Sequence, residues 1–166
     1  MSRPATMNIE IQTVRSLPLE ELTPLVEESE SEGFFPLGRL VREWQSGQNR
    51  FDQPGEALFV ARRGERILGI CGLNRDPYVS PPDPQVGRVR HLYVAIAARG
   101  SGVGGRLVRA VIAAALGHFT RLRLRTDCPI AARFYRSLGF VPTPDDPTAT
   151  HAMELPPASA DVDQTT

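Results

Sequence analysis

The sequence predicts an α/β chain in which one mixed sheet carries helices on its faces, and three observations predict it. The hydrophobic period switches several times between two and about 3.6 residues, so strands and helices alternate. Two apolar runs meet at a tight Arg-Arg-Gly-Glu-Arg connection, which is a hairpin, whereas later strands are separated by helices long enough to cross over a sheet. The chain has 166 residues, 41% hydrophobic and 23% charged, which suits one ordinary core and neither a disordered chain nor a disulfide-held miniprotein. A hairpin together with crossovers favours a mixed sheet over a doubly wound parallel one.

Each element has its own signal. Met7 to Val14 alternates, with Ile9 and Ile11 on one side, and is predicted as the first strand. Leu19 to Glu32 keeps helical spacing through Leu22, Leu25 and Val26, with Pro24 expected in the first turn and Gly33 as the break. Leu37, Leu40, Val41 and Trp44 give a second helix ending near Gly47. Ala57 to Ala61 and Ile67 to Leu73 form the hairpin, and Pro77, Pro81, Pro82 and Pro84 make residues 74–84 an exposed loop. Val86 to Ala95 returns to strand. Leu107, Val108, Val111, Ile112, Ala115 and Leu116 then stripe a helix that stops at Gly117. Arg121 to Thr126 alternates leucine and arginine as a strand, and Pro129 opens a helix through Phe134, Tyr135 and Leu138 to Gly139. His151 to Leu155 is the last predicted strand. Residues 1–6 are expected to be a flexible N-terminus, 7–155 one domain, and 156–166 a disordered tail.

Composition removes several function classes. All nineteen basic residues are arginine, so Schiff-base and P-loop lysine chemistry are excluded. Cys71, Cys128, His91, His118 and His151 form no ligand-spaced cluster, so no metal is expected. Nineteen arginines balance nineteen acidic residues, and no run approaches about 20 apolar residues, so neither nucleic acid nor a membrane is an expected partner. With no signal-peptide pattern, a cytoplasmic protein with reduced thiols is expected.

Arg99-Gly100-Ser101-Gly102-Val103-Gly104-Gly105 lies between a predicted strand and helix. Glycines there let successive N–H groups face outward, the helix N-terminus adds partial positive charge, and Arg99 offers a planar donor fork, which together make a phosphate cradle. Gly100, Gly102 and Gly105 satisfy a dinucleotide fingerprint literally, but no acidic residue occurs from Arg106 to Arg125 to take a ribose hydroxyl.

Arg99-x-x-Gly102-x-Gly104 after Leu92-Tyr93-Val94, followed by Ala131-x-x-Phe134-Tyr135 and Gly139-Phe140, resembles the GNAT superfamily of acyl-CoA-dependent N-acyltransferases, across nearly the whole predicted domain. The resemblance implies a central mixed, mostly antiparallel sheet flanked by helices, with acetyl-CoA as cosubstrate. It puts Arg99, Gly100, Ser101, Gly102, Val103, Gly104 and Gly105 on the diphosphate and the backbone of Leu92, Tyr93 and Val94 along the pantetheine arm. The Val94 amide would donate to the thioester oxygen and Tyr135 would be the general acid. Cys128 stands where many relatives carry an asparagine that holds the cofactor arm, and Ile96 where proline is usual. A dimer through the C-terminal strands is common among similar proteins.

The residues name no unique base for the acceptor amine: His91, Glu30, Glu32, Asp127 and water all stand as candidates. Ten arginines and one acidic residue between Val86 and Arg136 suit a polyanion, and six glutamates between Leu17 and Gly33 suit a cationic amine or an ordinary solvated helix face. The expected activity is transfer of an acetyl group from acetyl-CoA to a primary amine, on a small molecule or a peptide, by direct attack in a ternary complex. The alternatives are a non-catalytic acyl-CoA-binding regulatory module and a nucleotide binder.

Overall fold

A computed structural model describes residues 8–157. The expected N-terminal segment 1–6, Met7 and residues 158–166 of the expected tail lie outside the described residues. In chain order the elements are β1 (Glu10–Thr13), α1 (Leu19–Ser31), α2 (Pro36–Ser46), β2 (Ala57–Arg63), β3 (Arg66–Arg75), β4 (Val86–Val94), a one-turn 3₁₀ helix (Ile96–Ala98), α3 (Val103–Ala115), β5 (Arg121–Leu124), α4 (Pro129–Ser137), β6 (Val141–Pro142) and β7 (His151–Glu154). The sheet runs β1-β2-β3-β4-β5-β7-β6, antiparallel throughout except between β4 and β5.

Local chemistry accounts for the boundaries. Pro36 and Pro129 open α2 and α4, where a missing N–H costs nothing, and Gly47 closes α2 at φ 80°. Pro24 lies in the second turn of α1 rather than the first, which deprives the Glu20 carbonyl of its helical donor. β3 continues two residues past the expected Leu73, because Asn74 and Arg75 still pair with Arg88 and Gly87 of β4, and Glu56 accepts bonds from the Asn74 side chain and the Arg75 N–H, 2.9 Å each. The described chain also contains β6, which the sequence pattern does not mark.

Alternation along β3 divides the core into two layers. A Cβ on Gly69 would stand 2.9 Å from Leu107 and 3.2 Å from Val103, so this face takes the α3 stripe of Val103, Leu107, Val108, Val111 and Ala115. A Cβ on Gly72 would stand 2.6 Å from Phe51, so the other face takes Phe51 and, from α1 and α2, Leu22, Leu25, Leu37 and Leu40.

Two irregularities in β4 shape the site. β4 and β5 pair only through Val86, Gly87 and Arg88, opposite Arg121, Leu122 and Arg123, so beyond that rung the two parallel strands part. Further along, Ile70 faces Tyr93 while Gly72 faces Arg90, so two residues, His91 and Leu92, oppose Cys71. This is a bulge, and His91 takes φ 60° within it. The extra residue resets the alternation, so Arg90 and Tyr93, three apart, share the face that carries α1 and α2.

Candidate active site

The glycine turn forms the mouth of α3. Gly100 and Gly102 take φ 81° and 86°, values that favour glycine, and a Cβ at either would meet nothing within 4 Å, so the surface there is open. The first α-helical bond runs from the Arg106 N–H to the Gly102 carbonyl at 3.1 Å. The N–H groups of Val103, Gly104 and Gly105 therefore have no acceptor within the helix and point out of its positive end. A Cβ on Gly104 would stand 3.5 Å from both the Phe134 ring and the Val94 side chain, so the turn, the end of β4 and α4 converge at one place.

The end of β4 offers main-chain groups to the same place. The Ala95 N–H bonds the Leu68 carbonyl at 2.7 Å, which makes Tyr93 and Ile70 a hydrogen-bonded pair and turns the peptide groups of Val94 away from β3. The Tyr93 backbone is thereby committed to β3, while the Val94 N–H is directed away from it. The Tyr93 phenol faces α1 instead, bonding Glu28 at 2.9 Å and also Glu32, with Phe34 stacked 5.6 Å away.

Arg99 also departs from expectation in its side chain. Its fork is held by Glu32, with one bond at 3.1 Å, its Nε donates to the Val94 carbonyl at 3.1 Å, and it lies 5.4 Å over the Tyr93 ring. A phosphate would have to compete with a carboxylate for it, and the Arg99 and Ser101 amides bond the Ile96 and Ala98 carbonyls at 3.2 and 3.4 Å, which leaves the amides of Gly100 and of Gly102 to Gly105 as the free donors of the turn. Glu28 ties α1 to this region, accepting the Ile96 N–H at 2.8 Å, a link without a sequence signal because the residues are 68 positions apart.

Tyr135 is buried at 7% exposure, with Phe134 and Phe140 edge-on at 5.2 and 5.6 Å. Burial, with a smaller contribution from the Cys71 thiol, pushes its proton affinity well above that of an ordinary phenol. Cys128 is the N-cap residue of α4, is exposed, and makes no side-chain cap bond. Cys71 is buried, and burial pushes its thiol up to about 12.

The four candidate bases are scattered. The His91 Nδ1 lies 3.0 Å from the Pro36 carbonyl, Nε2 is buried without a partner, and burial above all pushes the imidazole down to about 4. Glu32 is held below the usual carboxylate range, chiefly by the Arg99 hydrogen bond. Glu30 is exposed and packs over Gly38 of α2, and Asp127 is exposed, 3.9 Å from Arg125. Among the described residues no acid or thiol cluster could hold a metal ion, and no helix is long and apolar enough to cross a membrane.

Comparison with known proteins bears on the fold and the family. A crystal structure of a candidate acetyltransferase from Exiguobacterium sp. 255-15 superposes with a TM-score of 0.78 at 29% identity, covering 89% of this chain and 94% of that one. A GNAT family acetyltransferase from Brucella melitensis, crystallised in complex with acetyl-CoA, shares the fold with a TM-score of 0.66 at 19% identity, covering 89% and 97%. The N-alpha-acetyltransferase RimI of Mycobacterium tuberculosis is 35% identical over 106 residues, which span 64% of this chain and 61% of that protein. Residues 54–142, from before β2 to the end of β6 and more than half of the chain, match the model of the acetyltransferase (GNAT) domain, and the chain belongs to that family.

Proposed function

We propose that the chain moves an acetyl group from acetyl-CoA to a primary amine by direct attack in a ternary complex. The observation that carries the reading is the convergence at Gly104: unbonded amides at the start of α3, the exposed peptide edge of Val94, and α4 bearing Phe134 and Tyr135. The open surface at Gly100 and Gly102 fits a diphosphate approaching the backbone, which a side chain there would obstruct. When bound, acetyl-CoA supplies an activated thioester whose sulfur leaves as a thiolate.

The residues divide the remaining work. The amides of Val103, Gly104 and Gly105, with those of Gly100 and Gly102, grip the diphosphate, and Arg99 joins them where the phosphate displaces Glu32. Leu92 and Val94 align the arm, and the Val94 N–H donates to the carbonyl oxygen as negative charge develops on it. The amine nitrogen forms a bond to the carbonyl carbon, the carbon–sulfur bond breaks, and the Tyr135 hydroxyl gives its proton to sulfur. A phenol is protonated at neutral pH, and burial, which raises its proton affinity further, makes it a weaker acid, so its effect depends on position. Cys128, at the mouth of α4, borders the arm without the paired hydrogen bonds an amide side chain would make. His91 is neutral and weakly basic, and Glu32 is engaged, which supports water as the acceptor of the amine's proton. The unpaired Cys71 and Cys128 suit a reducing, cytoplasmic setting.

The test follows free thiol while acetyl-CoA and an amine panel are present. Tyr135→Phe is expected to lower kcat by roughly a hundredfold, the lower range for loss of a positioned acid, with acetyl-CoA affinity nearly unchanged. Unaltered kcat removes Tyr135 from its role. Binding of acetyl-CoA without thiol release for any amine would return the chain to a non-catalytic acyl-CoA-binding module.

A further inference from the structure

On the face opposite α3, a cavity of about 350 Å³ lies between α2, the turn that follows it and the adjoining parts of β3 and β4. Its charged lining is unevenly partnered. Glu43, 8% exposed, is bound by Arg39 at 2.8 Å, and the Tyr78 hydroxyl stands against the same guanidinium. Glu56 is saturated by the Asn74 side chain and the N–H groups of Arg75 and Gln53. Asp52, Arg50 and Arg75 are exposed.

Arg90 is different. It is half-buried, and among the described residues no carboxylate lies within ion-pair distance of it. One hydrogen bond holds its guanidinium, 3.3 Å to the Asn74 side-chain oxygen, which also accepts from Asn49 at 3.0 Å. A long bond to a shared, neutral oxygen is poor compensation for a cation partly removed from water. Arg90 directly precedes the bulge, on the face that also carries Tyr93. Along the strand it is about 7 Å from Leu92 and at most about 13 Å from Val94.

We infer that the acceptor amine bears a carboxylate several bonds from its nitrogen and that Arg90 binds this carboxylate. The inference rests on the acetyltransferase reading and adds the acceptor class. An anion in the cavity gives Arg90 the charge-assisted, two-pronged partner it lacks, and the backbone spacing from Arg90 to Val94 sets the scale of the span that the acceptor has to bridge. A carboxylate of this kind could come from a free ω-amino acid or from an acidic side chain next to a peptide N-terminus.

The experiment uses the whole chain, acetyl-CoA and matched acceptor pairs: γ-aminobutyrate and ε-aminohexanoate against their amino alcohols, and Ala-Asp-Ala amide against Ala-Asn-Ala amide. The carboxylate member of at least one pair is expected to be favoured roughly tenfold or more, chiefly in KM, and the arm that responds identifies the source. Arg90→Gln is expected to bring that ratio to about one by raising KM, and Arg90→Lys, which keeps the charge, to restore part of it. Thermal unfolding checks that both variants are folded. Equal KM within every pair, failure of every carboxylate member while neutral amines react, or a preference that survives in folded Arg90→Gln overturns the proposal. Absence of thiol release with every amine, neutral or acidic, strikes instead at the acetyltransferase reading beneath it.

Discussion

At His91 a strained backbone and a buried titratable ring coincide. A non-glycine residue at φ 60° costs on the order of 1–3 kcal/mol, though histidine tolerates this region better than most, and the Pro36 carbonyl and the edge-on Phe51 ring at 6.1 Å hold it there. With its folded pKa near 4 and an ordinary value of 6.5, the unfolded chain takes up the proton first. Its contribution to stability is therefore complete above the ordinary value and falls away as pH drops from 6.5 towards 4, by up to about 3 kcal/mol. His91→Asn tolerates the backbone and removes the titration, so urea unfolding at several pH values should show a shallower loss of stability on acidification. An unchanged slope would assign the acid sensitivity elsewhere. The sequence placed His91 on its strand but gave no sign of its φ, which depends on a register set by β3. The place of Tyr135 on its helix was legible because Phe134, Gly139 and Phe140 surround it in one helix and turn, whereas the lone Arg90–Asn74 contact depends on pairing between strands.

Among the elements, the turn into α3 was the most legible, since two positive φ values at its mouth leave glycine as the natural choice. Gly102→Val is expected to cost about 1–2 kcal/mol of stability by forcing a branched side chain into that conformation. It would also crowd the open surface, so acetyl-CoA affinity measured by calorimetry should fall roughly tenfold or more, an order-of-magnitude expectation for losing one or two aligned donors. Normal affinity in that variant would refute the cradle. Other elements were harder to read. β6 is two residues long, including Pro142, and carries no period, so only its pairing with β7 reveals it. The bulge in β4 leaves local composition unchanged and appears only as the offset between Ile70–Tyr93 and Gly72–Arg90.

Across the whole molecule, charge counted along the chain overstated charge available to a ligand, because a strand sends alternate residues to opposite faces and partners arrive from distant loops. Arg88 and Arg123, the last rung before β4 and β5 part, share Asp76 at 3.3 and 3.2 Å; Asp146 also holds Arg123, at 3.0 Å, and Tyr78 lies 4.7 Å from Arg88. Asp76 has a fully buried side chain. Asp76→Ala leaves two buried guanidiniums facing each other, and the expected loss is about 3–5 kcal/mol by urea unfolding. A loss below about 1 kcal/mol would mean that water or Asp146 replaces the missing carboxylate. The margins of the sheet carry a different consequence. One is the four-residue β1 and the other is β6, where Pro142 has no N–H to donate. The Thr143 N–H bonds the Thr150 carbonyl at 2.8 Å, which makes Val141 and Ala152 a hydrogen-bonded pair and turns the Val141 N–H towards β7. A second copy seeking to extend the sheet past β6 would therefore find no outward N–H in these two residues, so this border is a poor template for a further strand.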